Sequence, residues 1–103
     1  MASTIRVRTT SSGDTTEVQA LIQHRMDSGF VKDANGEIIP PHFIQQVTFE
    51  HDGTNVFVAD WGTGVSEDPY VKFSFKGGNK GDDLKISWVD NKGATDTITA
   101  KIQ

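Results

Sequence analysis

The sequence predicts an all-β protein folded as one antiparallel β-sandwich, and three observations carry that prediction. Thr, Val and Ile supply 28 of the 103 residues, against 8 for Ala and Leu together. Branched β-carbons suit pleated strands, and little is left from which to build helices. Apolar residues recur at every second position in segment after segment. Turn-forming Gly, Asn and Asp punctuate those segments at regular spacing. The length is that of a single domain, residues 1–103, with no internal repeat and no linker.

Taken in order, Ile5 and Val7 alternate with Arg6 and Arg8, and the polar run Thr9 to Thr16 reads as a loop. From Thr16 to His24, Val18, Ala20 and Ile22 share one face, with Leu21 out of pattern. Asn35-Gly36 signals a type I′ turn between two short arms, Phe30 to Asp33 and Glu37 to Ile39. Pro40-Pro41 then stops pairing, because neither ring nitrogen carries a hydrogen. Asp52-Gly53 turns a central hairpin whose pairing sets Phe49 opposite Val56 and Val47 opposite Val58. After a gap from Gly62 to Asp68 come Tyr70 to Lys76, with Val71, Phe73 and Phe75 inward, and Leu84 to Val89, with Leu84, Ile86 and Trp88 inward. Asp90-Asn91-Lys92-Gly93 turns into a last strand carrying Ile98, Ala100 and Ile102 on one face. The core expected from this pattern is Val47, Phe49, Val56, Val58, Phe73, Phe75, Ile86 and Trp88.

Composition excludes several functions. A net charge of −4, spread as −3 over residues 1–52 and −1 over residues 53–103, offers no basic stripe for a nucleic-acid backbone. Cysteine is absent, so disulfides, thiolate metal sites and thiol catalysis are excluded. No apolar run approaches the roughly 20 residues of a membrane helix. The opening Met1-Ala2-Ser3-Thr4-Ile5-Arg6 lacks the apolar segment of a secretory signal, so the chain is expected to be cytoplasmic, trimmed, or carried out by something else.

No catalytic pattern emerges either. His24, His42 and His51 lie in separate segments without H-x-H or H-E-x-x-H spacing, so ordinary hydrogen-bonding roles are expected and no metal site or cofactor. No serine occupies a G-x-S-x-G elbow. The acid pairs Glu67-Asp68 and Asp82-Asp83 read as solvated turn residues. Lys76-Gly77-Gly78-Asn79-Lys80-Gly81 lacks the Ser or Thr and the helix of a phosphate loop, and reads as a hairpin connection.

One feature exceeds this. The hairpin face opposite Val47, Phe49, Val56 and Val58 is nominally wet, yet it carries Ile44, Phe57, Ala59 and Trp61, with Ile44 directly opposite Trp61. Such a cluster reads either as a partner-binding patch or as side chains covered by a neighbouring loop. The candidate contact residues are Ile44, Phe57 and Trp61, with His42 and Phe43 as rim.

Thr16 to His24, Ile39-Pro40-Pro41-His42-Phe43-Ile44, Val65 to Tyr70, Phe73 to Gly78, and Lys85 to Gly93 stand in an order and spacing of their own. Together these segments resemble the SoxZ family, the small subunit of the SoxYZ carrier of bacterial thiosulfate oxidation. The similarity runs from about residue 5 to the C-terminus and departs from the family at Arg25, where proline is expected. The resemblance implies an immunoglobulin-like β-sandwich without catalytic activity of its own. It also implies a heterodimer with SoxY, whose cysteine-bearing C-terminal arm presents sulfur intermediates to other Sox enzymes, and export to the periplasm together with SoxY. The patch above then becomes the expected SoxY contact. The alternative is an unrelated immunoglobulin-like binding module, such as a carbohydrate binder stacking sugars on Trp61 and Tyr70.

Overall fold

The computed structural model describes residues 3–103; Met1 and Ala2, where the unsignalled start was read, lie outside them. Seven strands follow in order: β1 (Ile5–Ser12), β2 (Thr15–Ile22), β3 (Ile44–His51), β4 (Thr54–Asp60), β5 (Tyr70–Lys76), β6 (Asp83–Asp90) and β7 (Thr95–Lys101). They form two antiparallel sheets, β1-β2-β5 and β4-β3-β6-β7, and no helix occurs among the described residues. Three strands face four across one core, the immunoglobulin-like arrangement. Val18, Ala20, Ile22, Val71 and Phe75 meet Ile44, Val47, Phe49, Leu84, Ile86 and Trp88 there.

The polar run Thr9 to Thr16 is not a loop. It forms the ends of β1 and β2 around a tight turn, and Thr9 and Thr16 are buried. Threonine suits a strand sterically, and its hydroxyl finds backbone partners here. Thr16 Oγ1 donates to Gly77 O at 2.8 Å, and Thr9 Oγ1 accepts from Gln103 N at 3.0 Å. The glycine run is likewise not a hairpin connection. It links β5 to β6, which belong to different sheets. Gly78 at φ +83° packs so close that an added Cβ would sit 2.3 Å from Thr16 Oγ1. Asn35-Gly36 departs from type I′ as well, for only Gly36 has positive φ. Asp33 O accepts from Gly36 N, and Asp33 Oδ1 accepts from Asn35 N and Glu37 N. That is a type I turn followed by a left-handed glycine.

The largest correction concerns the central hairpin. Asp52 (φ 48°) and Gly53 (φ 85°) do form the two-residue turn, and His51 pairs with Thr54 and Glu50 with Asn55. A bulge then intervenes, so that Phe49 pairs with Phe57 and Val47 with Ala59. A regular ladder from this turn would aim Val56, Val58 and the Asp60 carboxylate inward and leave the rings of Phe57 and Trp61 in water. The bulge reverses that parity. Phe57 stacks on Phe73 at 4.6 Å and packs on the core with Ala59 and Trp61, while Val58 is 47 % exposed. A second irregularity between Ile44 and Gln46 does the same on the other side of β3. It sends Ile44 fully into the core, where regular alternation would have placed Gln45.

Val58 is therefore wrong as a core residue, and the wet apolar face inferred from regular pairing does not exist. Val58→Lys, on the exposed face of an edge strand, should change stability by no more than about 0.5 kcal/mol. Phe57→Ala should cost about 2 kcal/mol or more. Urea titration of both variants checks this, and the opposite ranking would restore the unbulged pairing.

Candidate functional site

The alternation that turns Leu84, Ile86 and Trp88 inward along β6 also turns Asp90 inward, at the end of the strand. This residue is 2 % exposed. A buried carboxylate needs donors, and four converge on it. Oδ2 accepts from His24 Nε2 at 3.1 Å and His42 Nε2 at 2.8 Å. Oδ1 accepts from Lys92 N at 3.0 Å and Ala94 N at 2.9 Å. Burial by itself pushes the carboxyl up, but the bonds from His24, His42 and the two amides outweigh it and bring the pKa down to about 2.

The tautomer of His24 follows from its second nitrogen. Nδ1 accepts from Met26 N at 3.2 Å, and a backbone amide only donates, so the ring proton sits on Nε2 and points at Asp90. The ring stands edge-on to His42 at 4.7 Å and to Trp88 at 5.1 Å. His24, His42 and Asp90 have the composition of a metal triad. Ligation through His24 Nε2, however, would require a proton on Nδ1, facing the Met26 N–H. The donor set suits hydrogen bonding better than a cation.

The network fastens a long connection, residues 23–43, to the loop end of the sandwich. His42 and Asp27 exchange backbone bonds, Asp27 N to His42 O at 2.8 Å and His42 N to Asp27 O at 3.0 Å. Phe43 N donates to Asn91 Oδ1, Asn91 N to Phe43 O, and Asn91 Nδ2 to Pro41 O. Arg25 pairs with Asp27 at 2.8 Å. From this base an arm projects, its two sides bridged at Lys32 and Ile38. It carries Phe30, 86 % exposed, with Val31 and Ile38 also exposed.

The residues expected at a partner contact are thus dispersed. Ile44 is core, and Phe57 and Trp61 lean on the core from the β4 side. His42 and Phe43 sit at the base of the arm, beside Asp90 and Asn91. Trp61 and Tyr70 do not form one stacking platform. Trp61 packs inward, whereas Tyr70, opposite Leu21, lies exposed on the outer face of the β1-β2-β5 sheet.

Comparison with known families matches residues 5–101 to the family described as sulphur oxidation protein SoxZ. The chain belongs to the SoxZ family. Its role accordingly lies in the Sox sulfur-oxidation system. A search of the curated proteins finds no match. Three of the segments that carry the SoxZ resemblance meet in the network. Thr16 to His24 brings His24, Ile39 to Ile44 brings His42, and Lys85 to Gly93 brings Asp90 and Asn91. Asp90 is the residue that sequence reasoning missed, and His24 was placed no further than an ordinary hydrogen-bonding role. The signal was present, since parity put Asp90 on the inward face and histidines were available donors.

Proposed function

We propose that this SoxZ-family chain is the non-catalytic partner of SoxY in a sulfur-carrier heterodimer, exported with it to the periplasm, where the pair presents sulfur intermediates on the SoxY cysteine to other Sox enzymes. The observation that carries the reading is the family match over residues 5–101. The buried network is consistent with it. The histidine protons are committed to Asp90, whose own carboxyl is ionised throughout the neutral range, so the cluster holds architecture rather than exchanging protons with a substrate.

We place the SoxY contact on the arm, at Phe30, Val31 and Ile38, with His42 and Phe43 at its base. Ile44 leaves the proposed contact because it is fully buried. Large apolar side chains held in water by a fastened arm are the kind of surface a partner covers.

The test is co-expression with a cysteine-bearing partner encoded beside this chain, followed by affinity capture. A one-to-one complex is expected. The double variant Phe30→Ser, Ile38→Ser should weaken it by about 2 kcal/mol, roughly thirtyfold, without moving the melting temperature of the isolated chain. Trp61→Ala should do the reverse, lowering the melting temperature more than the affinity. Failure to capture the partner would end the reading, and unchanged affinity in the double variant would move the contact off the arm.

A further inference from the structure

A second cluster lies at the opposite end of the four-stranded sheet, where no segment of the network reaches. His51 closes β3, Asp52 opens the following turn, and Asp82 precedes β6. His51 Nε2 donates to Asp82 Oδ2 at 2.9 Å and also stands 3.4 Å from Asp52 Oδ2. One N–H therefore faces two carboxylates and can satisfy only one of them well. The positive φ of Asp52 belongs to the two-residue turn, so the second carboxylate is held there by the hairpin. The Lys101 ammonium, nearby, pairs with Asp83 instead.

Two features, the freedom of Nδ1 and the exposure to solvent, separate this cluster from His24, His42 and Asp90, and its spacing suits a metal as well. No backbone amide pins His51 Nδ1 among the described hydrogen bonds, so Nδ1 is free to carry the ring proton and release Nε2 as a ligand. The two His51 distances fit a metal, because ligands about 2.0–2.2 Å from zinc at angles of roughly 90–110° lie about 2.8–3.6 Å apart. The cluster is also open to solvent: Asp52 is exposed, and His51 and Asp82 are half-buried. The Asn79 amide donates to the same Asp82 Oδ2 at 2.9 Å and holds that carboxylate oxygen in place beside His51.

We propose that His51 Nε2 and one carboxylate oxygen each of Asp52 and Asp82 form a divalent transition-metal site, of which zinc is the natural occupant. The three ligand atoms lie within 4.8 Å of one another. Binding moves the ring proton from Nε2 to Nδ1, and the remaining coordination positions are taken by water. An imidazole nitrogen with two carboxylates selects zinc or its neighbours over magnesium and calcium, which prefer oxygen alone. The ion would tie the β3–β4 turn to the connection between the two sheets, closing this end of the sandwich. This assignment goes beyond the carrier reading and does not depend on it. It also revises the expectation of no metal, which rested on spacing along the chain and not on where the fold brings residues together.

Calorimetric titration of the metal-free chain with zinc chloride tests the site. One zinc per chain at micromolar affinity is expected, with a rise in melting temperature at saturation. Asp52→Asn should weaken binding by at least about tenfold, since even outer-shell partners of a metal are worth that much. His51→Gln should abolish it, and His42→Gln should leave it unchanged. Circular dichroism establishes that each variant is folded. Zinc binding that survives His51→Gln, or that disappears with His42→Gln in a folded chain, would overturn the assignment. So would the absence of saturable binding to the folded wild type at millimolar zinc.

Discussion

Phe49→Ala is expected to destabilise the fold by about 3–5 kcal/mol, through lost burial and the cavity left behind. Phe49 is fully buried in the middle of β3 and pairs with Ile86 on one side and Phe57 on the other. Its ring meets Phe57 edge-on at 5.7 Å and Phe73 at 4.9 Å, so one truncation removes two aromatic contacts, one of them across the sandwich. Domains of this size are stable by roughly 5–15 kcal/mol, so the variant would retain a small margin or none. Urea unfolding should show a large drop in midpoint with the slope unchanged. A loss below about 1 kcal/mol would mean that the sheets do not meet at this residue.

The second large effect is expected at Asp90. Asp90→Ala leaves the N–H groups of His24, His42, Lys92 and Ala94 without their acceptor in a nearly sealed site. A loss of about 3 kcal/mol follows from leaving one buried and three part-buried donors unpaired. The native carboxylate also makes stability depend on acid. Its pKa falls from an ordinary 3.8 to about 2 on folding, so its contribution is fully present above about pH 4 and is lost as the pH falls through about 2. That shift corresponds to about 2 kcal/mol. Asp82 and Asp96 are also lowered, but they titrate equally in an Asp90→Asn variant. The difference between the wild-type and Asp90→Asn midpoints, measured from about pH 5 to pH 2, therefore isolates Asp90. Wild-type stability should fall more steeply across that range, and parallel profiles would remove Asp90 as the titrating group.

The sequence by itself determined the fold class and most of the inward faces. Ile5, Val18, Ala20 and Ile22 on the first hairpin, Val71 and Phe75 on β5, and Leu84, Ile86 and Trp88 on β6 are buried as their alternation requires. Side-chain parity is a local property of an extended chain, and in these strands no irregularity disturbs it. The Asp52-Gly53 turn was equally legible, because positive φ at two successive residues is a demand that few sequences meet. The resemblance to SoxZ also lay in contiguous segments.

Only the tertiary structure decided what depends on the opposite sheet. Val56, Phe57 and Val58 are apolar in succession, so either parity could bury something. Phe73, waiting across the core to stack on Phe57, and the cost of burying Asp60 select the bulged register. The bulge carries Phe57, Ala59 and Trp61 inward with it, and its counterpart at Gln45 carries Ile44. Thr9 and Thr16 were unreadable as buried strand residues because the acceptors and donors that satisfy their hydroxyls lie more than 60 positions away. Parity marks Asp90 as inward, but which donors reach it is hidden for the same reason. Hydrogen bonds and ligand sites are made between atoms a few ångströms apart in space, and here 66 and 48 positions of sequence separate the histidines from their carboxylate.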